Sequence, residues 1–411
     1  MFRKNNVPIF MTKVSFFAML FYSAFLLDIV DIKISNMTMM LGVITVGFMA
    51  LDMMLHDFNL LKLLVPEIKI MIAFLIYSFI TSLLFAEYRG SAFNGLFQLV
   101  QNLILMIVTI YIIMRDKSIK FPSFTFFVVM SVVSVYSIIN AEDINIRLAL
   151  SDSSNSNVLG HNAVCALAFV PFFFANKNKL INIVLIALAT VFCVTTVLTG
   201  SRMSFICAAL YIAIMFLYIF PEFSTLRATK AVKTLVFSIV LLVIIFSCLP
   251  LLKDTLVFER MDNLMAVFET GEGDGQGRID LYEKAFSFFK SNPIFGVGYA
   301  NYASMNFGTY SHSTYAELLS CSGIVGTVIY AAFYIAMLKG ISPRSIESRD
   351  QKLISIMLLS LMIILIVLGI GQILYYKINY FIIFGIVIGF GNIVKSKECI
   401  DEKNQGIKNC I

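Results

Sequence analysis

Leu180-Ile-Asn-Ile-Val-Leu-Ile-Ala-Leu-Ala-Thr-Val-Phe-Cys-Val-Thr-Thr-Val-Leu-Thr199 carries no charge and is followed at once by Gly200-Ser-Arg202. An apolar run of about 20 residues crosses a hydrocarbon core of roughly 30 Å as a helix. Strands of a membrane barrel alternate in polarity, and this run does not. The same pattern recurs along the chain, near 14–30, 37–55, 68–86, 94–114, 121–140, 159–176, 203–220, 234–252, 313–338, 353–369 and 373–394. The slightest break between runs is at Gly369-Ile-Gly-Gln372. Hydrophobic residues make up 59% of the chain and charged residues 14%, where a soluble domain carries about 25% charged residues. The expectation is an all-α, polytopic transmembrane helix bundle of about twelve spans. Residues 1–394 read as one membrane domain and 395–411 as a polar tail. The first run lacks a small-residue cleavage site, so it reads as an uncleaved anchor.

The formal net charge of +6 follows topology and is not a nucleic-acid signal. With Arg3, Lys4 and Lys13 in the cytoplasm, alternating loops put most Lys and Arg on that side, from Lys62 and Lys69 through Arg115 and Lys120 to Lys339, Arg349 and Lys352. That asymmetry fits the positive-inside rule with both termini cytoplasmic. Seven cysteines are scattered without a C-x-x-C pair, which predicts neither a disulfide framework nor a zinc site.

Two longer polar segments fall on the opposite, outward side. One spans 141–158. The other, 253–312, precedes the last three runs and reads as a partly helical cap. It contains Gly271-Glu-Gly-Asp-Gly-Gln-Gly277, whose glycines disfavour a helix. From Arg278 to Lys290 apolar residues return at helical spacing. Ile279, Tyr282, Phe286 and Phe289 form one stripe, predicting an amphipathic helix on the membrane face. Pro293 ends it, and Gly296-Val-Gly298 turns the chain toward Tyr302. Gly323 and Gly326 suit close helix packing in the tenth run.

Three groups on the outward side could carry chemistry. Arg202 follows a span end, where the positive-inside rule disfavours a cation; an interfacial anchor is the plain alternative. Arg278 opens the amphipathic helix, where backbone N–H groups and a guanidinium together grip phosphate; an ion pair with Asp274 or Asp280 is the alternative. His312, in Tyr310-Ser-His-Ser-Thr-Tyr315-Ala-Glu317, offers a base titrating near neutral pH, or a polar interfacial ring. Glu317 lies inside the span and needs a partner or a wet cavity. It could orient His312, hold Tyr315 or Arg202, or bind an acceptor hydroxyl. His161 starts the sixth run on the same side and could line the same cavity. Asp28 with Asp31, and Glu272 with Asp274, are loose acidic pairs that Mg²⁺ or Mn²⁺ would accept; solvated loops explain them equally. No P-loop, dinucleotide or G-x-S-x-G motif is present, which argues against nucleotide-driven chemistry.

The segments Thr199-Gly-Ser-Arg202, Gly277-Arg278 with Tyr282 and Ala285, Asn292-Pro-Ile-Phe-Gly-Val-Gly-Tyr299, and His312-Ser-Thr-Tyr-Ala-Glu-Leu-Leu with Gly323-Ile-Val-Gly326 resemble the O-antigen ligase and polysaccharide polymerase superfamily. The resemblance covers roughly residues 150–340. Each motif is degenerate; their order, and the long loop before the last three spans, are more specific. Ser313 stands where the family commonly has Asn. The resemblance implies a glycosyltransferase that needs no cofactor and no metal. Its substrates would be an undecaprenyl-pyrophosphate-linked oligosaccharide and an acceptor hydroxyl, and its site would lie on the extracytoplasmic face of the bacterial inner membrane. Arg202 and Arg278 map onto the family's essential arginines and His312 onto its essential histidine, with Glu317, Tyr315 and His161 as substrate-binding neighbours. A polymerase of surface-polysaccharide repeat units is favoured by His-Ser-x-Tyr-x-Glu-Leu-Leu. A ligase acting on lipid A-core or protein is the alternative. A flippase or chain-length regulator would be a partner. A flippase is also the rival of another class, which would place its charges at mid-membrane.

Overall fold

The computed structural model describes residues 6–29, 37–141, 146–151, 154–174, 178–219, 229, 232, 236, 239, 255–261, 276–343, 346 and 348–404. Helices make up the secondary structure, with no strand among the described residues. Among the described residues ten helices are long and apolar enough to cross a membrane: α1 (Val7–Ile29), α2 (Met37–Leu55), α3 (Pro66–Phe85), α4 (Arg89–Asp116), α5 (Lys120–Ile139), α6 (Ser156–Phe173), α7 (Lys179–Leu198), α11 (Thr314–Gly340), α12 (Arg349–Gly371) and α13 (Ile378–Ser396). Between them lie the shorter apolar α8 (Arg202–Tyr218), the polar-faced α9 (Gln276–Ser291) and the short α10 (Asn301–Met305). The run expected at 234–252 lies almost wholly outside the described residues.

Membrane helices are the elements whose backbone groups are all satisfied within the segment, and the sequence closes their ends locally. Asn155, Asn178, Ser201 and Ser313 cap α6, α7, α8 and α11, each accepting a backbone N–H from the first turn. Pro8 and Pro66 sit in first turns that need no donor there. α13 lies against α4 at the centre of the bundle, α6 packs on α7 and α8, and α12 packs on α8 and α6. α2 joins the bundle through α1 and leaves much of its apolar surface exposed, Val43 at 65% and Met40 at 54%. One bundle end is tied by buried Asp52, which accepts hydrogen bonds from Tyr111 and from Arg115 Nε at 3.1 Å, and by Lys13 bridged to Asp116 at 2.6 Å.

The opposite end carries a broken helix. In α11 the backbone at Gly323 turns to φ +61°, ψ −168°, a region essentially reserved for glycine. The break admits the segment after α9. Val297 N–H donates to Ser320 O at 2.9 Å, Gly298 N–H to Cys321 O at 3.0 Å, and Ile324 N–H to Pro293 O at 2.9 Å. Gly323 thus serves a backbone junction, where helix packing was expected; Gly326 does pack closely, against Tyr77 of α3. A Cβ at Gly323 would stand 2.4 Å from Ile294 O. Gly323→Ala is expected to cost at least about 1–3 kcal/mol. Its apparent Tm in detergent should fall clearly below that of Ile324→Ala, an adjacent exposed control. Equal midpoints would mean that the junction is not a stability element.

α9 runs where the amphipathic helix was expected, and a second stripe packs it onto the bundle. Arg278, Leu281, Tyr282, Ala285 and Phe288 turn inward, and Ala285, Tyr302 and Cys321 share a buried cluster with Phe288 against it. Ile279 and Phe286, read from sequence as part of a stripe toward the membrane face, are 37% and 54% exposed. The docking partner decides the face. α9 packs on the broken α11, and Tyr302 donates to Leu281 O at 2.7 Å, which rotates Ala285 inward.

Candidate active site

The turn between α7 and α8 is a knot of arginines. Gly200 takes φ +60°, so α8 can begin directly after α7. Arg147, from the 146–151 segment, covers this glycine with its stem. Its Nε donates to Thr199 O at 3.0 Å and its Nη2 to Asn157 Oδ1 at 2.7 Å. Arg260 Nη1 donates to Gly200 O, and Arg202 Nη1 donates to Arg260 O, both at 2.9 Å. Arg202 is 9% exposed. An arginine extended toward lipid headgroups would be open, so the snorkelling alternative does not describe it.

Arg278 lies in the first turn of α9, half-buried, and makes no hydrogen bond or ion pair among the described residues. Its Nη1 lies 3.6 Å from the position a Cβ at Gly371 would take, and Met203, the neighbour of Arg202, packs on that same glycine. Tyr282, one turn along, donates to Ile370 O at 3.1 Å. Gly371 therefore lets α9 and α8 meet at the end of α12 and brings Arg278 beside the Arg202 turn.

His312 lies in the 306–313 link between α10 and α11, directly before the Ser313 cap of α11. Its φ is +56°, a left-handed conformation uncommon outside glycine, in which asparagine, aspartate and histidine are the enriched side chains. The neighbours hold it there. Ser311 Oγ donates to Ser313 O and accepts Ser313 N–H. Glu317 is fully buried and its Oε2 accepts Ser311 N–H at 3.1 Å, while Tyr376 O–H donates to its Oε1 at 3.5 Å. Thr314 Oγ1 donates to Gln372 O at 2.7 Å, anchoring the cap to the end of α12. Burial, and secondarily the Arg278 charge, hold the His312 imidazole below its ordinary value of 6.5. The ring is half-buried and lines a polar cavity of about 450 Å³, shared with Ser91, Asn94, Gln98, Asn155, Tyr310, Gln372, Tyr376 and Lys377.

The same Arg278 charge reaches His161, which is fully buried in α6. Neither His161 ring nitrogen has a hydrogen-bond partner among the described residues. Gly160 before it packs on Ser204 and Thr199 of the arginine turn. Tyr315 is 40% exposed, and its hydroxyl donates to Ile366 O at 2.6 Å. All six residues expected from sequence therefore stand at one end of the bundle. Arg278 lies near Arg202, His161 and His312; Glu317 braces the His312 loop; Tyr315 lies on the α11–α12 seam. Asp28 opens onto a neighbouring apolar cavity. Asp31, Glu272 and Asp274 lie outside the described residues. Arg147, Arg260, Tyr376 and Lys377 were not singled out from sequence.

Residues 183–331 match the family model described as O-antigen ligase. The match includes Arg202, Arg278, His312, Tyr315 and Glu317, and His161 lies outside it. It bears out the resemblance to the O-antigen ligase and polymerase superfamily and supports a glycosyltransferase of that type acting on lipid-linked glycans in the membrane. With its apolar helices, the chain is an integral membrane protein. No curated protein matches it.

Proposed function

We propose that the chain polymerises lipid-linked repeat units of a surface polysaccharide such as O-antigen, capsule or exopolysaccharide. It would transfer glycan from an undecaprenyl pyrophosphate carrier to an acceptor sugar hydroxyl, on the extracytoplasmic face of the bacterial inner membrane. The observation that carries this reading is the placement of Arg278 beside the Arg202 turn and close enough to His312 to act on its titration. A base and a pyrophosphate-binding cation on opposite sides of one reacting carbon are what an inverting displacement requires. Arg278 and Arg202 stabilise the charge that grows on the pyrophosphate as its bond to the anomeric carbon breaks. His312 accepts the proton of the attacking hydroxyl. The activated carrier supplies the driving force, and the guanidinium pair supplies the charge that a metal ion would otherwise bring. Glu317 holds the His312 loop, and His161 and Tyr315 are further substrate-binding neighbours in this reading. The charged groups gather at one end of the bundle, which favours transfer over the mid-membrane binding expected of a flippase.

A deletion strain tests the reading through its glycan ladder. Single repeats alone on the acceptor are expected. Long chains retained on the lipid carrier would assign a ligase, and an absence of externally displayed repeats would assign a flippase.

The protonation state gives a second expected result. A lowered pKa keeps His312 neutral, its proton-accepting form, at pH 7, so kcat/KM should fall only as pH drops through a value below 6.5. The Arg278 charge disfavours the imidazolium, so Arg278→Gln should move the titration up toward 6.5. With only three histidines in the chain, imidazole NMR of labelled protein can follow His312 directly. A titration at or above 6.5 in the wild type would contradict the geometry.

A further inference from the structure

A second cavity adjoins the one at His312. It measures about 880 Å³ and lies between α1, α2 and α4, with the start of α13 at its rim. Along α4 it is lined from Phe97 and Gln98 to Val108, a rise of about 15 Å, or half the hydrocarbon core. Its depth is apolar, with Met19, Val46, Ile104 and Val108 in the walls. Its open side passes Val43 and Met39, which are 65% and 41% exposed. Its rim is polar, and five residues line both cavities: Gln98, Asn155, Val158, Tyr376 and Lys377.

Lys377 is the cation at that junction. It occupies the link between α12 and α13, is exposed to the cavities, and makes no ion pair among the described residues. Burial pushes its ammonium below the ordinary lysine value, against a weaker opposing pull from Asp28 across the rim. Asp28 lines only the larger cavity, so on the His312 side Lys377 is the charged group besides His312 itself. A cation between an apolar trough and a sugar-sized polar chamber matches an amphiphile with an anionic joint.

We infer that this groove binds the acceptor as a second polyprenyl-phosphate lipid, with the isoprenoid chain between α2 and α4, the phosphate at Lys377 and the first sugars in the chamber under His312. The inference rests on the glycan-transfer reading above and deepens it. Donor pyrophosphate lies on the Arg202 and Arg278 side of His312, acceptor phosphate on the Lys377 side, and the base between them. An acceptor held by its own lipid phosphate is the arrangement a polymerase needs, because both substrates then carry the same tail.

Binding of undecaprenyl phosphate to the full chain in nanodiscs, counted by native mass spectrometry, tests it. Two equivalents per chain are expected. Lys377→Gln should weaken one of them by about tenfold, the loss of one charge-assisted contact, and Lys377→Arg should retain it. Val43→Trp, on an exposed face of α2, should weaken that same equivalent by filling the groove without touching the core. Arg278→Gln should weaken only the other. Undecaprenol, which lacks the phosphate, should bind the groove about as poorly as undecaprenyl phosphate binds Lys377→Gln, and inorganic phosphate should not displace the lipid. Binding unchanged in both Lys377→Gln and Val43→Trp, or a single equivalent abolished by Arg278→Gln, would overturn the second site and leave the donor site standing. Two equivalents indifferent to Arg278→Gln would instead sink the donor site.

Discussion

Replacing His312 with asparagine is expected to lower turnover by about 10²–10⁴-fold, the usual contribution of a positioned general base, while the protein accumulates normally in membranes. Asparagine is the informative choice. His312 holds a positive φ of +56°, and asparagine tolerates that conformation better than alanine does. His312→Asn thus removes the base and spares the backbone. The loop should keep its shape because its bonds run from Ser311 and Glu317, not from the imidazole. Single-turnover assays with a purified lipid-linked repeat would read the loss in the chemical step, with donor binding little changed. A variant that turns over at the wild-type rate would remove His312 from proton transfer. A variant that binds no donor would make it a recognition residue.

The spans were legible because a membrane helix must hide every backbone group within itself, so each one writes itself as an uncharged run. Ten expected spans meet long helices and the 203–220 run meets the shorter α8. The three main site residues were legible for a related reason. Arg202, Arg278 and His312 fall in loops that the alternation of spans assigns to the side expected to be poor in cations. The same logic applied evenly would have found Arg147 in the 141–158 segment and Lys377, a cation inside the run expected at 373–394 that the structure places just before α13. They were passed over because neither follows a motif. What no local pattern could show is pairing across the chain. Arg260 meets Gly200 from 60 positions away, and Glu317 spends its oxygens on Ser311 and Tyr376 and leaves its immediate helical neighbours aside. The face by which α9 packs on the bundle is set in the same way. Ile279 and Phe286 satisfy helical periodicity as well as Leu281 and Ala285 do, and only the broken α11 decides between them.

Arg278→Lys should cost about 10²–10³-fold in kcat, comparable to the loss of one preorganised oxyanion donor, although the charge is kept. Lysine places a compact ammonium where a planar fork could make two parallel bonds to phosphate oxygens. Arg278 makes no hydrogen bond or ion pair among the described residues, and Arg278→Lys keeps its charge, so the variant is expected to accumulate at normal protein levels. Arg202 differs, because it bonds Arg260 O at 2.9 Å. Arg202→Lys is therefore expected to lose activity and some stability together. The split between kinetic constants separates the roles. An interaction that strengthens as the pyrophosphate departs lowers kcat, whereas uniform binding of the carrier raises KM alone. Activity should also survive EDTA, since guanidinium groups neutralise the leaving group. The paired result is decisive. If EDTA abolishes transfer while Arg278→Lys is fully active at normal protein levels, the leaving group is held by a metal ion, and the acidic residues Asp28, Asp31, Glu272 and Asp274 become the place to look for its ligands.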